Sequence, residues 1–230
     1  MKILLCSMLL ISISTVCAAA QQSCPRIPPS PQAPLANPPK KNPPAPELSV
    51  VRGDGENPTL VFLGDSLTAG DGASAPDKRF PYVVAHSFDK PRAFESYARG
   101  GLTSTTIADL FQHIPVPEES VVIIWIGRNN TERPDVIVND VTRAVSHISG
   151  RRFIVLSVLH ALYDTAMPGG ADFAKFKKIN DALSAAFPEN FLAVGLDLVC
   201  ADRKDNTHPN DNGYSKVAHQ VAAELKKRNW

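Results

Sequence analysis

Five short, mostly apolar runs limit what this chain can fold into more than any other feature of its sequence. They lie at residues 59–63, 93–97, 121–126, 153–159 and 191–196. A strand with one wet face alternates apolar and polar residues, whereas most of these runs are continuously apolar. They therefore predict strands that are buried on both faces of a parallel sheet.

Amphipathic stretches separate these runs and predict helices. One helix is expected over residues 210–227, where apolar side chains recur at helical spacing along a single stripe. The stripe consists of Tyr214, Val217, Ala218, Val221, Ala222 and Leu225. Pro134 suits the first turn of another helix, which should end before Gly150.

Strand and helix alternate five times, and this order predicts an α/β domain over residues 58–230. The expected architecture has three layers, with helices on both faces of a doubly wound, five-stranded parallel sheet and right-handed crossovers between the strands. In such a sheet, ligands bind beyond the carboxyl ends of the strands. Polar residues that directly follow a strand are therefore the first candidates for a functional site.

The chain before this domain falls into two segments. Residues 1–20 combine a basic residue, an apolar core and a small-residue end, a pattern typical of a secretory signal peptide. A transmembrane anchor is the alternative, but the strongly apolar part is shorter than the roughly 20 residues that a bilayer requires. Residues 21–57 form a proline-rich linker, with ten prolines between Gln21 and Glu47, that stays extended as a spacer or presents a ligand. We expect a secreted or periplasmic domain without a transmembrane anchor once the signal is cleaved.

Charge and cysteine content narrow the possible partners and the compartment. The chain has 24 Lys and Arg against 23 Asp and Glu, a net charge of +1. Nucleic acids and anionic membranes are bound by clustered positive charge, so this balance argues against both. Of the four cysteines, Cys24 and Cys200 remain after signal cleavage. In an oxidising compartment they either form a disulfide bond or stay as thiols.

Three polar segments follow predicted strands or precede the last predicted helix. They lie at residues 64–67, 127–130 and 205–210. Ser66 stands at the turn after the first strand, where its hydroxyl can point into the crevice with helix N–H groups nearby. A serine hydroxyl is a poor nucleophile at pH 7 unless a base removes its proton, and the base needs a partner that fixes its tautomer. His208 and Asp205, three residues apart ahead of the last helix, suit these two roles.

In these residues the sequence resembles the SGNH hydrolases, also called the GDSL esterase and lipase family. The resemblance runs from about residue 59 to the final helix. Its blocks are G-D-S-L at 64–67, R-G-G-L-T at 99–103, G-R-N-N at 127–130 and D-N-T-H at 205–208. Two departures stand out: Asn130 occupies a position where the family usually has Asp, and the glycine block lacks the common Gly-x-x-Gly spacing.

The resemblance implies the flavodoxin-like SGNH fold and a set of catalytic roles. Ser66 is expected to be the nucleophile, His208 the general base and Asp205 the acid that orients it. The oxyanion hole is expected to consist of the amides of Ser66 and Gly101 and the side chain of Asn129, with Gly101 favoured over the adjacent Gly100.

Other polar residues receive more modest expectations. Asp65 is expected to shape the turn through a structural hydrogen bond rather than to act as the triad acid. His160, at a strand's carboxyl end, is a possible substrate contact. Because no His or Cys residues show metal-ligand spacing and no glycine-rich nucleotide motif follows the first strand, we expect neither a metal nor a cofactor.

Together these features predict a secreted serine esterase that acts on a small-molecule or acylated-glycan ester through an acyl-enzyme. A short acyl group such as acetyl is favoured, because the chain has no lid-sized hydrophobic insertion and the loop over residues 160–172 is polar. A thioesterase or lysophospholipase of the same family and a non-catalytic glycan-binding module are the alternatives.

Overall fold

The computed structural model describes residues 46–162, 164–167 and 169–230. The predicted signal peptide, most of the proline-rich linker and Cys24 lie outside these residues. Cys200 is disulfide-bonded. No helix among the described residues is long and apolar enough to cross a membrane.

A mixed sheet of six strands forms the centre of the structure. In spatial order the strands are β1-β3-β2-β4-β5-β6, and every neighbouring pair is parallel except β1 and β3. Without β1, this order is the doubly wound order in which the chain reverses direction beside its first parallel strand. The strands are β1 (Ser49–Gly53), β2 (Glu56–Gly64), β3 (Arg92–Ala98), β4 (Val121–Trp125), β5 (Arg152–Leu156) and β6 (Phe191–Leu192).

Helices cover both faces of this sheet, as the two-sided burial of its strands requires. Alternate residues of β2 face opposite layers: Leu60 and Phe62 pack with α2 and α6, whereas Val61 and Leu63 pack with α3, α4 and α5. The helices are α1 (Ser66–Ala69), α2 (Phe80–Ala85), α3 (Ser104–Phe111), α4 (Pro134–His147), α5 (Phe173–Ala186) and α6 (Asp211–Lys227). The predicted doubly wound α/β fold is confirmed, and all six apolar residues predicted for the stripe of α6 are buried.

The number of strands differs from the sequence prediction. The predicted sheet has five strands, but β1 adds a sixth, antiparallel to β3, in the last part of the segment assigned to the linker. The run of β1 is short, and Val50 and Val51 are each 45% exposed, so it lacks the continuous apolar pattern by which the other strands were identified. The last strand is also shorter than expected, because the chain turns away before Gly195, whose φ is +67°.

Candidate active site

Ser66 lies at the turn between β2 and α1, at the carboxyl edge of the sheet. The turn is tight because a Cβ on Gly64 would lie 2.6 Å from the carbonyl oxygen of Trp125 in the neighbouring strand. Asp65 caps α1, and its Oδ1 accepts a hydrogen bond from the backbone N–H of Leu67 at 3.0 Å. Ser66 is therefore held as the first residue of the helix, with only 5% of its surface exposed.

The structure brings Ser66 next to His208, which is 142 residues away in sequence. Nε2 of His208 lies 3.0 Å from Oγ of Ser66, and Nδ1 of the same ring lies 2.9 Å from Oδ2 of Asp205. The other carboxylate oxygen of Asp205 accepts the backbone N–H groups of Thr207 and His208, each at 2.7 Å. The three residues predicted from sequence thus form one continuous hydrogen-bonded chain.

The charge state of Asp205 determines the direction of these hydrogen bonds. Burial alone would raise the pKa of Asp205, but hydrogen bonds from the backbone and ring of His208 and from the Thr207 backbone hold it below its usual range. An ionised carboxylate can only accept hydrogen bonds, so Nδ1 of His208 carries the proton. Nε2 is then left as an acceptor for the Ser66 hydroxyl, which is the arrangement a general base requires.

A buried carboxylate anchors the loop that carries Asp205 and His208. Asp202, 1% exposed, accepts the backbone N–H of Val199 at 2.9 Å and pairs with Nζ of Lys216 in α6 at 2.7 Å. Its backbone carbonyl accepts the N–H of Asn210, the residue that caps α6. The loop is therefore fixed to the helix that follows it on both sides of His208.

Two arginines hold Thr207, the residue directly before the candidate base. Nη1 of Arg203 donates to the carbonyl oxygen of Thr207 at 2.9 Å, and Nη2 of Arg128 donates to its hydroxyl at 3.3 Å. Burial, together with the nearby charge of Arg128, lowers the pKa of Arg203 to about 10. Because Arg128 adjoins Asn129, this contact connects the candidate oxyanion loop to the loop of His208.

The candidate oxyanion residues come from two neighbouring loops. Gly101 has a φ of +80°, in the left-handed region that favours glycine. The side-chain amide of Asn129 donates to the carbonyl oxygen of Leu102 at 2.9 Å, which joins the two loops. Gly100 is close to the nucleophile, since a Cβ placed on it would lie 3.5 Å from Cβ of Ser66.

Asn130, where the family usually has Asp, has a structural role that sequence reasoning missed. Its Oδ1 accepts the backbone N–H of Ser104 at 3.1 Å, and its Nδ2 donates to the Ser104 hydroxyl at 2.8 Å. That hydroxyl donates in turn to buried Asp140 in α4 at 2.7 Å. Asn130 thus fixes the start of α3 against the candidate oxyanion loop. This pairing could not be predicted from the sequence, because Ser104 is 26 residues away.

His160, the predicted substrate contact, lies near Arg203 and Arg128. Its ring Nδ1 is 2.8 Å from the carbonyl oxygen of Ala161, and its ring meets Phe173 edge to face at 6.0 Å. Burial lowers the pKa of His160, and nearby Arg203 and Arg128 add to this effect. The backbone carbonyl of His160 accepts a hydrogen bond from Nη2 of Arg203 at 3.3 Å, which connects His160 to the loop of His208.

Among the described residues, no group of three or more His, Cys, Asp or Glu side chains is close enough to hold a metal ion.

Comparison with protein families gives a match over most of the domain. The model of the GDSL-like lipase/acylhydrolase family matches residues 62–216, a span that contains Ser66, Asn129 and His208. No curated protein sequence matches the chain.

Solved structures with the same fold come from several bacteria. A lipolytic protein of the G-D-S-L family from Veillonella parvula has a TM-score of 0.59 at 15% identity, covering 74% of this chain and 98% of its own. A lipase/acylhydrolase from Enterococcus faecalis has a TM-score of 0.59 at 19% identity, and the match covers 74% of this chain and 96% of that protein's chain. An aryl esterase from M. smegmatis has a TM-score of 0.56 at 21% identity, covering 74% and 98%.

The buried carboxyl group beside the nucleophile makes a testable contribution to stability. Asp65 is 1% exposed, its Oδ2 has no hydrogen-bond partner among the described residues, and burial raises its pKa from 3.8 to about 6. The stability that its protonated form provides is complete below the unfolded pKa and is lost as the pH rises through the folded pKa, at a cost on the order of 3 kcal/mol. Asp65→Asn, which keeps the oxygen that caps α1, should therefore gain stability relative to the parent between pH 4 and pH 7.

Urea denaturation of both proteins at each pH measures this difference. Asp89→Asn, at an exposed position, is the control and should not alter how the free energy of unfolding depends on pH. If the free energies of unfolding of Asp65→Asn and the parent differ by the same amount from pH 4 to pH 7, the assigned pKa is contradicted.

Proposed function

Because this chain belongs to the GDSL-like lipase/acylhydrolase family, we propose that it is a serine esterase in which Ser66, His208 and Asp205 are the nucleophile, the base and the orienting acid. The observation that carries the proposal is the hydrogen-bonded chain from Ser66 Oγ through both ring nitrogens of His208 to Asp205. Its geometry and its direction of proton donation are those that nucleophilic catalysis requires.

In the proposed reaction, Oγ of Ser66 attacks the ester carbonyl carbon while its proton passes to Nε2 of His208. The carbonyl electron pair moves onto the oxygen and forms an oxyanion. When the tetrahedral intermediate collapses, the bond to the alcohol oxygen breaks and His208 returns the proton to that oxygen. Water then attacks the carbonyl carbon of the acyl-enzyme while His208 takes one of its protons. When the bond between this carbon and Oγ of Ser66 breaks, His208 returns that proton to Oγ, and the carboxylic acid and free Ser66 are released.

The oxyanion receives hydrogen bonds from the backbone amides of Ser66 and Gly101 and from the side chain of Asn129. An asparagine amide has two N–H groups, and only one is needed for the hydrogen bond to Leu102. The second N–H is free to donate to the developing charge. Preorganised donors of this kind are effective because they do not have to reorient during the reaction.

We propose a short acyl group, such as acetyl, on a small-molecule or glycan alcohol. The support is the sequence, in which the domain contains no lid-sized apolar insertion. We also propose that the chain is exported to a secreted or periplasmic location, on the basis of the signal-like residues 1–20.

Replacement of the nucleophile or the base should abolish turnover without unfolding the protein. Ser66→Ala and His208→Ala are each expected to lower kcat on p-nitrophenyl acetate by at least about 10³-fold, since residues of a triad act as a unit. Ser149→Ala and His113→Ala, both exposed, are matched controls and should retain full rates. Circular dichroism checks that all four variants remain folded.

The same assay separates the alternatives. Faster turnover of acyl thioesters or long-chain esters than of acetyl esters would replace the short-chain proposal with a thioesterase or lysophospholipase. A parent that turns over no ester, yet binds glycan as well as Ser66→Ala does, would identify a binding module instead.

Loss of the side-chain donor to the oxyanion should reduce the rate rather than binding. Asn129→Ala is expected to lower kcat by about 10²- to 10³-fold with little change in KM, because the donor acts mainly in the transition state. Asn139→Ala, on the exposed face of α4, is the control. A change confined to KM would remove Asn129 from the oxyanion hole.

Export can be tested on the protein itself. When the full-length gene product is expressed in a secreting host, mass spectrometry of the material outside the cytoplasm should find a mature chain that begins at Gln21. An uncleaved chain that stays with the cytoplasm would overturn the proposal.

A further inference from the structure

A cavity of about 410 Å³ lies between the β1 end of the sheet and the chain segment from α1 to α2. Its volume is within the range of pockets that bind small organic ligands. Three small residues, Gly53, Ser96 and Ala98, line part of its sheet side. They lie on the face of the sheet where β2 presents Leu60 and Phe62 to the core. Small side chains at this edge leave open space where the rest of the same face is filled.

Most of the surface that lines the cavity is apolar, and three arginines, Arg52, Arg79 and Arg99, also contribute to the lining. Phe94 and Val51 line the sheet side, and Pro76, Pro81 and Tyr82 line the helix side. Val51 is 45% exposed, so the cavity opens to solvent beside the edge strand. Apolar walls with an open mouth favour an apolar, ring-sized group over a strongly hydrated one.

The inner end of the cavity adjoins the candidate nucleophile. Gly100 and Asp71 both line it, and a Cβ on Gly100 would lie 3.5 Å from Cβ of Ser66 and 2.8 Å from a carboxylate oxygen of Asp71. The backbone N–H of Asp71 donates to the carbonyl oxygen of Ser66 at 3.0 Å. A group bound in the cavity is therefore within reach of an ester attacked by Ser66.

The turn after α1 connects the lining of the cavity to the candidate base. Asp71 lines the cavity, and the next residue, Gly72, packs against His208, so closely that a Cβ on Gly72 would lie 3.1 Å from Cβ of His208. In the proposed reaction, His208 gives its proton to the oxygen of the departing alcohol. We therefore consider the alcohol half of the ester as the group that this cavity receives.

We propose that this cavity is the binding site for the alcohol half of the substrate, and that it selects esters of apolar, ring-containing alcohols. The inference rests on the proposed esterase function and extends it to the leaving group. β1 precedes residues 62–216, so one wall of this cavity lies outside the region that the family model matches.

The two valines of β1 provide a matched pair of variants. Val50 and Val51 are equally exposed, but successive residues of a strand face opposite sides, and only Val51 lines the cavity. Val51→Trp should fill the mouth of the cavity, whereas Val50→Trp adds the same bulk outside it. Melting temperatures check that both variants are folded, as expected for changes on an exposed edge strand.

The experiment measures kcat/KM of the parent and both variants on two ester series. One series keeps the acetyl group and enlarges the alcohol, from ethyl to phenyl to 2-naphthyl acetate. The other keeps ethanol and lengthens the acyl group, from acetate to butyrate to octanoate. The ratio of variant to parent is compared for each substrate, so differences in intrinsic ester reactivity cancel.

Val51→Trp is expected to lower kcat/KM on the order of tenfold for 2-naphthyl acetate and to leave ethyl acetate nearly unchanged, since a steric change in a pocket discriminates by about this factor. Val50→Trp should leave both unchanged. An equal effect on every substrate, no effect, or a loss that follows acyl length would overturn the proposal.

A second variant tests the same cavity from the helix side. Tyr82→Ala removes an aromatic wall and should raise KM for 2-naphthyl acetate without changing ethyl acetate hydrolysis. If the parent hydrolyses no ester, the proposed function fails. If it hydrolyses esters but Val51→Trp and Tyr82→Ala do not discriminate among alcohols, only the assignment of this cavity fails.

Discussion

Burial of the central strands on both faces is the constraint on which the rest of this structure depends. Phe62 of β2 and Ile123 of β4 pack against one helical layer, and their neighbours Leu63 and Ile124 pack against the other. Because no side of such strands can face water, each parallel connection must pass over the sheet as a helix. All parallel strands then end at one edge, where the chain has to turn and where Ser66 is placed.

The edge is occupied by loops, and polar contacts join these loops to one another and to the helices. Asp202 ties the loop of His208 to α6, Arg128 ties it to the oxyanion loop, and Asn130 ties that loop to α3. Each contact joins segments that are distant in sequence. These contacts therefore position the hydrogen-bonded chain from Ser66 to Asp205, and buried Asp65, whose Oδ2 has no hydrogen-bond partner among the described residues, lies beside it.

The parallel sheet could be predicted from local patterns of apolar residues, whereas the meeting of Ser66 with His208 was expected mainly from the resemblance to the SGNH hydrolases. Local patterns were not sufficient to predict β1, whose exposed valines do not produce a buried-strand pattern. The contacts of Asn130 and Arg128 were equally out of reach, since their partners are Ser104 and Thr207, 26 and 79 residues away. Such long-range polar pairs leave no periodic signal in a single sequence.

The position of β1 has a consequence for how this protein can diverge. Within residues 46–230 as far as the structure describes them, it is an edge strand that pairs with β3 alone. Insertions, deletions or grafted sequence there would alter one side of the molecule while leaving the interior of the sheet untouched. Selection and engineering can therefore treat this strand as an interchangeable module, separate from the scaffold that carries the chemistry.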